Sequence, residues 1–429
     1  MLDRTKAPDI QEIETVSLPT AEVIQLKNGG TVHIIQNRTQ PVIRLDFVFK
    51  AGKWQEKKSG VSDLSNKMLF EGSKNYTAKQ IAEKVAFYGA SFENNHGYDR
   101  SEFTLYCLSK YLLPLLPVVV DVLQSPVFPE KEYELLKQRN QQNLKVQRQK
   151  NSYLATHRFT KLIYGDNHPY IFGFDENALD PIQLDDIKDF YKDNINKNEL
   201  EVFVCGDIRE DVKKEVIEEL EKLDLKNNKE SSKEKYINNA ATSINEAFIH
   251  IDDSLQSSIR IGKQFPKIGD PDYHKLVVLS EILGGYFGSR LMRNIREDKG
   301  YTYGIYSTIS PKEEDSLFYI GTDVNYTVTE KTVDEVQKEI RKLQEELVPE
   351  DELNTVQNYM VGKFLNDIAT IFEQCDRYKR IVLSKLSPEH YNNYIKTIKT
   401  ITTSELNELA NRYLDLDSMS TAIAGRNPE

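Results

Sequence analysis

The sequence predicts an α+β fold built from two similar halves. Three observations carry this: a length beyond one core, a pair of motifs repeated at one spacing, and strands and helices interleaved without a regular βαβ beat. The chain has 429 residues, whereas single cores stop growing near ~250–300 residues. Phe128-Pro129-Glu130-Lys131-Glu132 returns as Val348-Pro349-Glu350-Asp351-Glu352, Pro to Pro an offset of 220 residues. The β-rich run Glu201-Val202-Phe203-Val204-Cys205-Gly206 returns as Ser420-Thr421-Ala422-Ile423-Ala424-Gly425, Gly to Gly an offset of 219. Two unrelated landmarks agreeing within one residue indicate a duplication. The expected domains are 1–224 and 247–429. The polar, charged stretch 225–246 has the composition of a linker.

The elements follow in order. Strands are expected at Val42 to Ala51, Phe103 to Cys107, Tyr301 to Ile309 and Leu317 to Asp323. Thr77-x-x-Gln80 reads as a capping box. Ile81, Val85 and Tyr88 then line one helical face, and Gly89 closes it. Val333, Val336, Ile340, Leu343 and Leu347 recur at helical spacing and end before Pro349.

Composition excludes several classes. The chain carries 56 Lys and Arg against 67 Asp and Glu, a net charge of −11, which argues against a nucleic-acid binder. The longest apolar stretch, Tyr111 to Leu123, is broken by Pro114, Pro117 and Asp121 and is too short for a membrane span. Cys107, Cys205 and Cys375 lack CxxC spacing and read as buried free thiols. The opening Met-Leu-Asp-Arg-Thr-Lys has no apolar signal core. With Met1 native, the expected location is cytoplasmic; with a leader removed, periplasmic. There is no Walker A loop and no GxSxG elbow. No two of the seven histidines lie within a helical turn of each other, so no H-E-x-x-H or H-x-x-E-H exists.

The most informative stretch runs from Leu283 to Gly304. Gly284, Gly285 and Gly288 make a loop allowing close backbone approach. Ser289 can cap the following helix. Arg290, Arg293 and Arg296 recur every third residue, which predicts one basic stripe. Gly300 ends the helix, and Tyr301, Tyr303 and Ile305 are expected on one strand face. A guanidinium and a phenol seven residues apart suit hydrogen bonding to a developing oxyanion. On the local pattern alone, a solvated Arg296 and a half-core Tyr303 are the plainer alternative.

Three further landmarks are Leu26-Lys27-Asn28-Gly29-Gly30, Ala51-Gly52-x-Trp54-x-Glu56 with Gly60-Val61, and Gly284 through Gly304. On these the whole chain resembles the insulinase/pitrilysin family of inverted-zincin metallopeptidases, particularly its bacterial heterodimeric and mitochondrial-processing-peptidase-like members. The resemblance implies two duplicated domains, each a mostly antiparallel sheet packed against helices. It also implies a departure. Where catalytic members read H-x-x-E-H before Met-Leu-Phe, this chain reads Asp63-Leu64-Ser65-Asn66-Lys67 before Met68-Leu69-Phe70. Asn66 cannot act as a base, and Lys67 opposes a dication. The neighbourhood of the family's third ligand, a Glu, is Gln141-Gln142-Asn143-Leu144-Lys145. The expectation is therefore no metal in this chain, with Asp63, Asn66, Lys67 and Asn143 as degenerate positions and zinc in a partner.

Arg296 and Tyr303 keep the family's Arg/Tyr spacing. By resemblance, the chain is the zinc-less companion of a zinc-motif-bearing paralogous subunit, and it is not catalytic alone. It would lend Arg296 and Tyr303 to the partner's active site for cleavage of unfolded peptides. Gly284, Gly285, Gly288 and Ser289 would lie along the substrate path. In isolation the chain can pair with itself. The alternative is a structural scaffold subunit related to the peptidases; an active zinc peptidase in its own right is the weaker third.

Overall fold

A computed structural model describes residues 15–195, 200–225 and 245–427. Eleven strands are described: β1 Glu22–Gln25, β2 Thr31–Gln36, β3 Val42–Phe49, β4 Ser91–His96, β5 Ser101–Leu108, β6 Leu200–Gly206, β7 Glu246–His250, β8 Gln256–Phe265, β9 Thr302–Pro311, β10 Ser316–Asn325 and β11 Ser420–Gly425. The first sheet runs β1-β2-β6-β3-β5-β4 and the second β7-β11-β8-β10-β9. Apart from β1, the two orders are the same. In each sheet one pair is parallel, β2 with β6 and β7 with β11, and every other pair is antiparallel. The duplication read from the two landmark motifs is thus a duplication of topology. The expected linker falls on 226–244, outside the described residues, except at its ends. There Leu225 packs on the first core and Glu246 opens β7.

Local signals placed the helices. Thr77 forms the capping box with Gln80 and starts helix Ala78–Phe87, and Gly89 follows with φ +59°. Pro129 and Pro349 precede helices Glu130–Gln147 and Glu350–Asn366, where a fixed proline φ suits a helix start. Helix Thr329–Glu345 buries Val336, Ile340 and Leu343 but stops before Leu347, which is exposed. The apolar stretch after Tyr111 is a buried helix, Leu112–Gln124, with Pro117 inside it. Among the described residues no helix is long and apolar enough to cross a membrane. The three cysteines are free and buried.

Strand periodicity sorts side chains onto two faces of each sheet. In the first sheet Ile43, Leu45, Phe47, Val202 and Val204 face helices of the first half. The opposite face, with Ile35, Val48, Phe203 and Cys205, is covered by Cys375 and Tyr378 of helix Ile371–Leu383, from the second half. The second sheet mirrors this. Ile259, Ile261, Phe318 and Ile320 face their own helices, while Leu317, Tyr319 and Ala422 lie against Phe159, Leu162 and Ile163 of helix Asn151–Tyr164, from the first half. The halves exchange a helix. Polar ties fix the exchange: Arg44 pairs with Asp376 at 2.6 Å, Lys379 bonds Asp46 at 3.1 Å and also Glu102, and Arg260 donates to Thr156 at 3.0 Å.

Candidate functional site

Helix Val61–Met68 buries Val61, Ser62, Leu64, Ser65, Asn66 and Met68, leaving Asp63 and Lys67 on its more open side. Those two sit one helical turn apart, the spacing at which side chains meet. Lys67 Nζ lies 2.8 Å from Asp63 and 2.8 Å from Asn140 Oδ1 on helix Glu130–Gln147. Asn143, one turn further along that helix, is exposed. Asn66 is fully buried and donates to Ser101 Oγ at 2.6 Å, and Ser101 in turn bonds the carbonyl of Ala51. These groups do not suit a divalent cation. The one carboxylate of the motif is already neutralised by an ammonium one turn away, and the carboxamide is locked into the core as a donor. Among the described residues no group of three or more His, Cys, Asp or Glu could hold a metal ion.

Beside this helix lies a polar cluster that the sequence did not single out. Glu56 accepts from the backbone N–H of Gly60 and Ser62, at 3.1 and 3.0 Å. The Ser62 hydroxyl sits between the Glu56 carboxylate and His96 Nε2, bonded to both. Burial pushes Glu56 up and pulls His96 down to about 4, so the imidazole is neutral at pH 7. Glu56, Ser62 and His96 come from a loop, a helix and the end of β4, a meeting that only the fold reveals.

Arg296 and Tyr303 are brought together. The guanidinium stands 5.4 Å from the Tyr303 ring and 4.5 Å from the Phe287 ring. Tyr303 is 92% exposed and Phe287 62%. β9 is an edge strand of the second sheet, and its pairing with β10 slips by one residue here. Thr322 faces Ile305 and Val324 faces Thr302, so Tyr303 and Gly304 together oppose Asp323 alone. This is a β-bulge, a device that re-aims side chains. It explains why Tyr303 is bare while Ile305, two residues on, is buried. Two hydroxyls hold the bulge. Thr302 Oγ1 donates to the Asp323 carbonyl at 2.8 Å and accepts from the Gly304 N–H at 3.1 Å. Thr322 Oγ1 lies 3.0 Å from both Thr302 Oγ1 and the Gly304 carbonyl.

The basic stripe is not formed. Residues Met292–Asp298 wind as a π-helix, whose wider turn takes every third residue off a common face. Arg290 makes a two-pronged pair with Glu352 at 3.0 and 2.9 Å, Arg293 bonds the Gly288 carbonyl at 2.7 Å, and Arg296 lies over the rings. Ser289 does not cap: its hydroxyl is buried with no hydrogen-bond partner among the described residues. The close approaches of Gly284 and Gly285 are internal. A Cβ on Gly284 would stand 2.5 Å from the Ser307 nitrogen, and one on Gly285 would stand 2.4 Å from the Glu281 carboxylate. Gly288 approaches the Tyr286 ring in the same way.

Fold and site together define a duplicated two-domain chain in which helix Val61–Met68 carries an ion pair on its open side. Residues 31–168 match the description "Insulinase (Peptidase family M16)" and residues 181–360 match "Peptidase M16 inactive domain". The chain belongs to the insulinase family, peptidase family M16. It is 24% identical over 425 residues to an uncharacterized zinc protease of Rickettsia bellii, covering 94% of this chain and 98% of that one. It is 24% identical over 408 residues to the "Non-peptidase homolog YmxG" of Helicobacter pylori, covering 92% of each. The crystal structure of a peptidase M16 inactive domain from Pseudomonas fluorescens superposes with a TM-score of 0.82 at 23% identity, covering 95% of this chain and 98% of that one. The expected family and duplicated α+β fold are borne out, and the inactive-domain match covers residues 181–360 of the second half.

Proposed function

We propose that this chain is the non-zinc subunit of a two-chain peptidase, lending Arg296 and Tyr303 to the active site of a zinc-bearing paralogue. The observation that carries this reading is the pair itself: a guanidinium 4.5 and 5.4 Å from two exposed rings, with Tyr303 92% exposed on a bulged edge strand. An isolated tyrosine so bare gains little from folding, and a bulge held by two threonine hydroxyls fits the display of a side chain to something outside the chain. In this role both groups donate hydrogen bonds to a peptide carbonyl as negative charge builds on its oxygen. β9 ends its sheet, and in this reading an unfolded peptide would add beside it as a strand. The loop of Gly284, Gly285, Gly288 and Ser289 would flank that path. The metal belongs to the partner in this reading, because Asp63, Asn66 and Lys67 are engaged with one another and with the core.

The test mixes this chain with a paralogue carrying H-x-x-E-H and follows a quenched peptide. Neither this chain alone nor its Arg296→Ala and Tyr303→Phe forms should cleave. In the mixture each substitution should lower turnover about 100-fold, the usual cost of losing a charge-stabilising donor, with assembly intact. Unchanged turnover in the doubly substituted mixture favours the scaffold reading, which leaves the exposure of Tyr303 without a purpose.

A further inference from the structure

Cys205 and Cys375 come from different halves and meet where the exchanged helix crosses the first sheet. Cys205 is on β6 and Cys375 on helix Ile371–Leu383. Both are fully buried, in one cluster with Ile35, Val48 and Phe203. Cys205 Sγ lies 3.5 Å from the Ile371 carbonyl. Cys375 stands one turn after Ile371, and a helical side chain leans back over the turn before its own Cα. The two thiols are accordingly within hydrogen-bonding reach of each other, yet both are free.

Their surroundings set these two sulfurs apart from the third. Cys107 is buried as well, and burial pushes its thiol up to about 12. Cys375 goes the other way. The hydrogen bond from Cys205 lowers it, and Arg44 and Lys379 lower it further against the effect of burial. Arg44 Nη2 reaches the Phe372 carbonyl at 3.4 Å and Asp376 at 2.6 Å, on either side of Cys375. Lys379 follows one turn later. Asp46 opposes them, but both cations hold it, each at 3.1 Å. Cys205 is raised, first by its hydrogen bond to Cys375 and then by burial, so it keeps its proton. A sulfur among cations with a protonated sulfur beside it supplies both parts of an oxidation-sensitive pair, a thiolate that attacks and a thiol that resolves.

A cleft of about 370 Å³ between the halves reaches the rim of this cluster. Val48, Asp376 and Lys379 line it: a member of the cluster, the neighbour of Cys375 and the cation one turn on. The thiols themselves are sealed, so the route admits an oxidant of a few atoms and excludes a bulky one. We propose that Cys375 and Cys205 react with hydrogen peroxide and form a disulfide that ties the helix of the second half to the sheet of the first. Cys375 gives up its proton and its sulfur attacks one peroxide oxygen. The O–O bond breaks, and the departing hydroxide leaves as water with that proton. Cys375 is then a sulfenic acid. The Cys205 sulfur attacks it, the S–O bond breaks, the S–S bond forms, and the oxygen leaves as a second water with the proton of Cys205. Two thiols are oxidised by two electrons and one peroxide is reduced to two waters. The inference is independent of the proposed partnership, because this chain alone should react.

Hydrogen peroxide added to the folded full chain tests it. Intact mass should fall by two hydrogens. Peptide mapping should join Cys205 to Cys375 and leave Cys107 a free thiol, consumed at least ~10-fold more slowly. Dithiothreitol should restore the starting mass. In Cys205→Ser the reaction should stop at a sulfenic acid on Cys375, one added oxygen that dimedone captures. In Cys375→Ser the Cys205 thiol should survive the same exposure. In urea, which disperses the cations, the advantage of Cys375 over Cys107 should vanish. The parent's mass and map decide the matter even where a variant folds poorly. A folded parent whose three thiols survive while free cysteine is consumed overturns the proposal. So does a link through Cys107, or oxidation of Cys375 that leaves Cys205 a thiol.

Discussion

Lys67 Nζ meets Asn140 Oδ1 at 2.8 Å, joining helix Val61–Met68 to helix Glu130–Gln147. The same ammonium holds Asp63. The two contacts make a structural joint. Lys67→Ala should therefore lower stability by about 1 kcal/mol, the upper range for a part-exposed pair, read as a shifted urea midpoint at unchanged slope. The lone Lys67→His change should not confer stoichiometric zinc by metal analysis, since it adds one imidazole beside one carboxylate.

The bulge under Tyr303 gives a second prediction. Thr322→Val removes a buried hydroxyl that lies 3.0 Å from Thr302 Oγ1 and from the Gly304 carbonyl. The expected cost is about 1 kcal/mol in stability. Turnover of the reconstituted mixture should fall severalfold more than the loss of folded protein accounts for, while Thr322→Ser, which keeps the hydroxyl, restores it.

Phe287 also bears on Arg296, its ring 4.5 Å from the guanidinium. An exposed cation–π contact is worth about 0.5–1 kcal/mol. Phe287→Ala should thus lower turnover of the mixture about two- to fivefold, with Phe287→Tyr near the parent and melting temperatures alike.

Acid should weaken the fold early. His96, His157, His168, His274 and His390 are each pulled down to about 4, burial being the first cause. Their unfolded value is near 6.5. Below that pH the unfolded chain takes up protons that the folded chain refuses, so stability is full above about 6.5 and falls on the way to 4. Each such histidine contributes up to about 1.4 kcal/mol per pH unit in that window. Urea midpoints measured from pH 7.5 to pH 4.5 should decline steadily, and His390→Asn should flatten the decline.

The tie between the halves is also exposed to test. Lys379 holds Asp46, which is 1% exposed, and Glu102, whose carboxyl burial pushes up. Lys379→Met leaves these acids with Arg44 alone and should cost about 3 kcal/mol at neutral pH. Glu102 then protonates more easily, so the deficit should shrink toward pH 5 when variant and parent are compared in urea.

What was legible in the sequence followed local rules. The strands at 42–51, 103–107, 301–309 and 317–323 were found because period-2 patterning is a property of a few neighbours. The Thr77 capping box and the two proline-led helices are equally local. The pairing of Arg296 with Tyr303 came from family spacing, since the local periodicity around each suits a solvated helix charge and a half-core tyrosine equally well. The misreadings were tertiary. Arginines three apart share a face on an α-helix or a tighter one, and residues 292–298 wind more widely. Tyr301, Tyr303 and Ile305 alternate in sequence, but an inserted residue opposite Asp323 breaks the alternation in space. The contact of Lys67 with Asn140, one turn before Asn143, joins two helices far apart in sequence and has no local signal. The cluster of Glu56, Ser62 and His96 has no sequence signature.

The traded helices have a bearing on origins and on engineering. A solitary half would fold with one side of its sheet bare, hungry for a helix it cannot supply to itself, and would find it only on a second copy. Covalent fusion turns that search into an encounter at millimolar effective concentration. The ancestral unit that this arrangement implies is an intertwined pair of short chains. Severing the polypeptide between its halves should return it to that condition, two fragments that are orderly only in each other's company.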